Sequence, residues 1–346
     1  MSTRAYAALS ANAPLTPYAF ERRALRPADV AFDVLYAGIC HSDIHQAREE
    51  WGPSLFPMVP GHEIVGTVTA IGSDVTKFQV GQRIGVGVFV DACRTCEHCL
   101  AGMDQYCEQG FTPTYNGLER DGVTIAQGGY ANNFVVDERY AVTVSDTLDP
   151  AGAAPLLCAG ITLYSPLRHW NVTPGMQVGI IGLGGLGHMG VQLAAAMGAT
   201  VTVFSHSASK EQDAYDLGAH HFVLTKDASA LSALSQRYDL IMNTVSADID
   251  LNPYLQLLKL HATLVVVGLS GVPMAIMQGN LLSNRRSLAG SMIGGMPELQ
   301  EMMDFCAEHQ ITAKVEVIAA DQINEAYERT VASDVKYRFV IDASTF

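Results

Sequence analysis

The stretch 176–199, MQVGIIGLGGLGHMGVQLAAAMGA, decides the fold. Met176–Ile181 is a short apolar run of the kind that forms a buried strand. Gly182-Leu183-Gly184-Gly185-Leu186-Gly187 follows without a gap, and the residues after it carry helical apolar spacing. Strand, G-x-G-x-x-G, helix is the order that turns a weak glycine pattern into a dinucleotide-binding fingerprint. The glycines let the backbone approach a pyrophosphate, which rests on the helix N-terminus. The stretch is apolar enough to suggest a membrane span, but its glycines, His188 and Gln192 fit a strand–turn–helix better.

Downstream, further strands are expected at TVTVF (200–204), HFVL (221–224), YDLIMNT (238–244) and ATLVVVG (262–268), with helices between them. That alternation implies an α/β fold built on a doubly wound parallel sheet. From Met292 the pattern changes to a helix at Glu298–His309, a strand at Lys314–Ile318, a helix near Asp321–Val331 and a strand at Tyr337–Asp342. These do not extend the nucleotide sheet, so the chain is expected to return to its first domain. Upstream, residues 1–90 are β-rich, with β-branched runs at Val30–Ala37 and Ile64–Ile71. Gly61, Gly66, Gly72, Gly81, Gly85 and Gly87 suggest tight turns in a small curled sheet.

The chain's 346 residues are enough for two domains whose cores need no disulfide staples. A net charge of −14 argues against a nucleic-acid or anionic-membrane partner. The N-terminal MSTRAYAALSANAPL lacks the apolar core of a signal peptide, so a cytoplasmic location is expected. In a reducing compartment, closely spaced cysteines read as metal ligands rather than disulfides. Six of the seven cysteines can be placed in two metal sites; Cys306, in the apolar register of EMMDFCAEH, reads as a core thiol.

The first site is Cys93-x2-Cys96-x2-Cys99-x7-Cys107, four thiols in one loop that can close the tetrahedral shell of a structural zinc. An iron–sulfur cluster is the rival, although the C-x3-C-P continuation of bacterial ferredoxins is missing. The second candidate site begins in GICHSDIHQAREEWGPSLFPMVPGHE (38–63), which holds Cys40 and His62. Thiolate and imidazole suit zinc, and a catalytic zinc takes three protein ligands and leaves one position open. Cys158, in LLCAGITLY, is the best third ligand, and Asp43 is placed to orient the His62 ring. Read alone, Cys40 is better taken as a buried apolar thiol and His62 as a satisfied histidine beside a turn.

A His/Cys site, a four-cysteine loop and a glycine-rich turn, in that order, resemble the zinc-dependent medium-chain alcohol dehydrogenases. The likeness is strongest to the cinnamyl-alcohol-dehydrogenase-like branch of NADPH-dependent aldehyde reductases. GICHSDIH, VPGHEIVG, the cysteine loop, APLLCAGIT, GLGGLGH and SMIGG carry it across nearly the whole chain. The resemblance implies a GroES-like catalytic domain, residues 1–157 and 294–346, and a Rossmann NADP-binding domain, residues 158–293. It implies two Zn2+ ions per chain, one catalytic on Cys40, His62 and Cys158, one structural on Cys93, Cys96, Cys99 and Cys107. Glu63 is then a carboxylate that can approach the catalytic metal. Ser42 and His45 are the inner and outer members of a proton relay through the nicotinamide ribose. Thr162, the backbone of Ser291, Met292 and Ile293, and Arg338 are expected at the cofactor, Arg338 on its phosphates. His41 stands where better-known relatives carry an arginine against the pyrophosphate, so one fixed positive charge is missing there. A homodimer is also implied, with the SMIGG region near its contact.

An NAD site places Asp or Glu roughly 20 residues past the glycine turn, on the ribose 2′-hydroxyl. Here the second strand ends in Ser205-His206-Ser207, with Lys210 beyond. Hydroxyls and an ammonium suit a 2′-phosphate, so NADPH/NADP+ is the expected cofactor. The expected reaction is reversible hydride transfer between NADPH and an aldehyde, with zinc acting on the carbonyl oxygen. Trp51 and Phe89 are candidate walls of a substrate pocket for medium or aromatic aldehydes. Two alternatives stay open: an NAD-dependent zinc polyol dehydrogenase, and a cofactor-binding redox sensor without turnover.

Overall fold

The computed structural model describes residues 1–346, the side chain of Ala228 excepted. The chain divides into two compact units, one formed by Met1–Ile161 together with Gly294–Phe346, the other by Thr162–Ile293.

The first unit is built on a sheet whose longest strand is Asp29–Gly38. Its strands run in the order Val315–Ile318, Arg338–Asp342, Asp29–Gly38, Ile64–Ile71, Arg83–Val86, Val142–Thr143, and Asn133–Asp137 also pairs with Asp29–Gly38. Register shifts between Ala31 and Phe32, and again between Val34 and Tyr36, mark bulges against Ile64–Ile71. Bulges bend a strand and increase its twist, which lets one long strand serve partners on both edges. The C-terminal segment returns to this unit, as its sequence pattern implies: Val340 pairs with Gly38 and Ile341 with Ala37. Met58, Tyr130, Ile39, Ile44, Phe339 and Ile341 are buried beneath this junction. The helix Met296–His309 buries Leu299, Met302, Met303 and Cys306 on one face. Cys306 is fully buried, and burial pushes its thiol up to about 12, so it behaves as an inert core residue.

The second unit is a six-stranded sheet in which every pairing is parallel. Its spatial order is His221–Leu224, Thr200–Ser205, Gln177–Ile181, Tyr238–Asn243, Leu258–Val266, Ser287–Gly290. Numbered along the chain, that is 3-2-1-4-5-6, the order of a dinucleotide-binding sheet. The order reverses beside Gln177–Ile181, so the glycine turn that follows this strand sits at the switch point where such sheets bind ligands. Two features depart from the sequence reading. The strand expected to begin at Ala262 begins at Leu258, because the half-buried Lys259 and the exposed Leu260 and His261 are carried in a register shift, with His261 at φ 64°. The sixth strand, Ser287–Gly290, has too little apolar content to be expected from its sequence. Among the described residues, no helix is long and apolar enough to cross a membrane.

Candidate active site

Strand Asp29–Gly38 delivers Cys40 to the start of helix His41–Ala47. Gly38 is required there, because a Cβ would fall 2.1 Å from Glu63 Oε2. Cys40 caps the helix in an extended conformation, and its N–H donates to Asp43 Oδ2 at 2.9 Å. Asp43 is fully buried and also accepts from Gly61 N at 3.2 Å and from the Tyr130 hydroxyl at 2.9 Å. Its Oδ1 lies 3.1 Å from His62 Nδ1, which directs the other ring nitrogen away from the carboxylate. One buried carboxylate therefore fixes the backbone of the first candidate ligand and the ring of the second, the role expected of a group behind a metal ligand. Tyr115 stacks on the His62 ring at 5.8 Å.

The ligand atoms of Cys40, His62, Glu63 and Cys158 all lie within 4.8 Å of one another, and all four residues are buried. The electrostatics suit a cation. The hydrogen bond from Cys158 drives the Cys40 thiol well below its ordinary range despite burial, aided by Arg338 and His62, and drives Cys158 up. The two sulfurs thus share one proton, whose place a divalent cation can take. Burial would lower His62, but Asp43 and the Cys40 thiolate raise it well above the usual imidazole value. Burial lifts Glu63 to about 7 against the opposing pull of Arg338. Its Oε2 has no hydrogen-bond partner, an orphaned acceptor facing the sulfurs' cluster. Thiolates, an imidazole and a spare carboxylate oxygen are the donors zinc selects.

The second cluster, Cys93, Cys96, Cys99 and Cys107, is likewise gathered within 4.8 Å. Cys93 Sγ and Cys99 Sγ are 3.8 Å apart. Four sulfurs bound to one zinc at ~2.3 Å stand about 3.8 Å apart in a tetrahedron. Ligands on the separate irons of a cluster would stand farther apart, so the geometry favours the single ion. The Thr95 and Cys96 N–H groups hold the Cys93 thiol down at about 6, the side of the equilibrium a metal needs. We expect Cys96→Ser to lose one metal ion per chain and lower Tm by roughly 5 °C or more, since a structural metal is coupled to local folding. Elemental analysis and calorimetry check this; an unchanged metal count would overturn it.

Ser42 lies one turn before His45 on the same helix, and its Oγ is 3.6 Å from Cys40 Sγ. His45 is hydrogen-bonded through Nδ1 to Glu50 and stacked on Trp51 at 4.8 Å and 26°. Trp51 is exposed, with a face available to a ligand. Phe89 is 3% exposed, with its ring packed against Phe111 at 5.5 Å and Tyr140 at 5.9 Å. Arg338 is buried; one guanidinium nitrogen pairs with Glu63, and its Nε has no hydrogen-bond partner.

In the second unit the glycine turn has the shape its motif requires. Gly182 takes φ +89°, and a Cβ there would meet Val245 Cγ2 at 2.8 Å. A Cβ on Gly187 would sit 2.1 Å from the Gly182 carbonyl oxygen, so close passage of turn and helix needs glycine. Around Gly184, by contrast, nothing lies within 4 Å of a built Cβ, which leaves an open side for a ligand. Gly185 lies between, and Leu186 caps helix Gly187–Ala196 without any side-chain hydrogen bond to its N–H groups. Lys210 Nζ donates to the Leu183 carbonyl at 2.8 Å and ties the end of the second strand to this turn. There Ser207 N donates to Ser205 Oγ at 3.2 Å, and Ser207 and Ser209 share a hydroxyl contact at 3.0 Å. Ser209 was not foreseen from sequence. His206 is exposed. Thr162 is buried, Ser291 N donates to the Val266 carbonyl at 3.2 Å, and Met292 is exposed. Ile293 is held at φ +39°, strained for a β-branched residue and of the kind found at ligand sites.

Comparison with known proteins adds the following. Residues 26–146 match the alcohol dehydrogenase GroES-like domain and residues 185–308 the zinc-binding dehydrogenase family. The chain is 57% identical to NADP-dependent alcohol dehydrogenase C 1 of Mycolicibacterium smegmatis, over 100% of this chain and 99% of that one. It is 49% identical to the aldehyde reductase YahK of Escherichia coli, with the same coverage. It is similar in structure to a cinnamyl alcohol dehydrogenase of Sorghum bicolor, at a TM-score of 0.96 and 43% identity over 99% of this chain and 98% of that one.

Proposed function

This chain belongs to the zinc-binding alcohol dehydrogenases with a GroES-like domain, and from that premise we propose that it reduces aldehydes to primary alcohols with NADPH, reversibly. The observation that carries the reading is the buried gathering of Cys40, His62, Glu63 and Cys158, with the Ser42 hydroxyl beside the first sulfur.

Cys40, His62 and Cys158 would hold the catalytic ion, with Glu63 as a movable fourth donor, and Cys93, Cys96, Cys99 and Cys107 the structural one. When bound, zinc supplies a Lewis acid for the carbonyl oxygen and NADPH supplies the hydride. The protein's own work is positioning and proton supply. Asp43 holds Cys40 and His62 in one arrangement, so no reorganisation is needed as charge develops on the substrate oxygen. Burial of the set excludes water, and the half-buried Ser42 hydroxyl donates the proton that the new alcohol needs. His45, beside solvent and braced by Glu50 and Trp51, restores it. The exposed Trp51 ring supports medium or aromatic aldehydes as substrates.

In the second unit, Gly182, Gly184, Gly185, Leu186 and Gly187 form the turn for the pyrophosphate, with Thr162 and Ser291–Ile293 toward the nicotinamide. Ser205, His206, Ser207 and Lys210 would bind the 2′-phosphate. No carboxylate stands at the end of the second strand to hold a 2′-hydroxyl, which disfavours an NAD-linked polyol dehydrogenase. Ser205→Asp should raise KM for NADPH roughly 10²-fold, because like-charge juxtaposition costs several kcal/mol, and should lower it for NADH. Steady-state kinetics with both cofactors check this; equal efficiency of the parent enzyme with NADH and NADPH would overturn it.

A cytoplasmic homodimer is part of the same reading. Strand Ser287–Gly290 pairs on one side only among the described residues, and Leu269, Val272, Met274, Met277 and Leu282 are exposed near it in sequence. Sedimentation velocity tests the dimer. The deciding experiment for the function is NADPH consumption with a panel of aromatic and medium-chain aldehydes. Absence of turnover across that panel in protein carrying two zinc ions would sink the reading.

A further inference from the structure

We propose that Asn116 is a positioning residue: its side-chain amide clamps the 49–56 loop onto helix His41–Ala47 and thereby sets Trp51 and Glu50 against His45. The proposal rests on the reading of His45 as the outer member of the proton relay.

Residues 49–53 and Leu55 are exposed, so the loop has little apolar burial to hold it. Hydrogen bonds order it: Glu50 N donates to the His45 carbonyl at 2.9 Å and Ser54 N to Glu49 Oε1 at 2.9 Å, and the bonds that tie its far end to the helix converge on one side chain. Asn116 Oδ1 accepts from Leu55 N at 2.7 Å. Asn116 Nδ2 donates to Gln46 Oε1 at 2.7 Å and to Ser54 Oγ at 3.1 Å. Ser54 Oγ in turn donates to the Gln46 carbonyl at 2.7 Å. Gln46 sits next to His45 on the helix, and its Nε2 donates to the Tyr115 hydroxyl at 3.0 Å. Tyr115 is the residue stacked on His62. A single Tyr115–Asn116 pair therefore braces both a candidate metal ligand and the loop over the outer relay group.

Asn116 adopts φ +56°. Asparagine tolerates that conformation better than most residues, which alone would explain it as a turn residue. A turn residue needs only its backbone, however, whereas this amide makes three bonds, two of them to the loop. The difference decides the variants. Asn116→Gly keeps the backbone conformation and deletes the amide. Asn116→Asp keeps an acceptor for Leu55 N, and reversal of the Gln46 amide lets it donate to the carboxylate.

The chain has two tryptophans, so Trp170→Phe leaves Trp51 as the sole tryptophan, excited selectively beyond the tyrosine absorption band. In that background Asn116→Gly should shift Trp51 emission to the red and increase its quenching by acrylamide, with zinc content unchanged. Asn116→Asp should stay close to the parent. Asn116→Gly should also lower kcat for aldehyde reduction about tenfold, the scale of a small misplacement in a catalytic array. Because the residue acts through His45, adding Asn116→Gly to His45→Gln should cost less than about twofold more. Unchanged Trp51 quenching, or kcat losses that multiply fully in the double variant, would overturn the proposal. A His45→Gln enzyme with normal kcat would instead remove the relay reading, and the Trp51 signal alone would then decide the role of Asn116.

Discussion

Cys40→Ser is expected to abolish aldehyde reduction while leaving a folded protein that retains one zinc ion per chain. Serine keeps the N–H that donates to Asp43, so the start of helix His41–Ala47 survives. What it loses is a readily ionised sulfur: the Cys40 thiol is driven well below its ordinary value by the bond from Cys158, whereas a hydroxyl stays protonated at neutral pH. With it goes electrophilic catalysis worth several kcal/mol, and at ~1.4 kcal/mol per tenfold, kcat/KM should fall by about 10³-fold or more. Elemental analysis should show two zinc ions falling to one, the remaining ion being held by Cys93, Cys96, Cys99 and Cys107. Far-UV dichroism should be unchanged. A fully active variant that has lost an ion would show that the Cys40 site is not where the chemistry happens.

Ser42→Ala should retain both ions and still lose kcat by about 10²–10⁴-fold, the usual worth of a general acid–base step. The half-buried hydroxyl lies beside the Cys40 sulfur, in a site whose other members are buried. A hydroxyl can donate to one neighbour while accepting from the next, and alanine can do neither. His45 is different, because its side chain is 25% exposed and water can stand in for it. His45→Gln should therefore cost less than Ser42→Ala, and Ser42→Thr should recover part of the loss. The measurement is kcat against pH for the three variants, with zinc content determined on the same preparations. Near-full kcat across the pH range in zinc-loaded Ser42→Ala would mean that the proton arrives by another route.

What could be read from sequence, and what could not, follows from the physics of each segment. Ile64–Ile71 is legible because a β-branched run of eight bounded by glycine has few alternatives, and the strand occupies those residues. The turn at Gly182–Gly187 is legible because its glycines answer steric demands, at Gly187 a Cβ 2.1 Å from a carbonyl oxygen. Ser287–Gly290 is not, since four residues with no apolar run form an edge strand only because a neighbouring strand offers its free side. Spacing names the cysteines of the loop, but it cannot say that Phe89 packs against Phe111 and Tyr140. Nor does it reveal why Gly38 must lack a side chain, because that depends on where the carboxylate of Glu63 comes to rest. Arg338 was assigned to a cofactor phosphate by resemblance, and in this structure its partner is Glu63. Asn116 carries no signal in the sequence beyond that of a turn residue.

The first unit is made of two pieces of chain, and order of synthesis gives that arrangement a cost. Strand Asp29–Gly38 leaves the ribosome long before its partner Arg338–Asp342, and the Glu63 carboxylate waits for a cation 275 residues later. Until then the strand end that carries Cys40 has an open edge, and a buried acid has no counter-charge. The second unit is continuous, so all six of its strands are available while that edge is still waiting. Chains truncated between residues 293 and 338 and released from the ribosome should therefore hold a protease-resistant second unit and a cleavable first one. Those intermediates are the natural clients of a chaperone that shields unpaired strands.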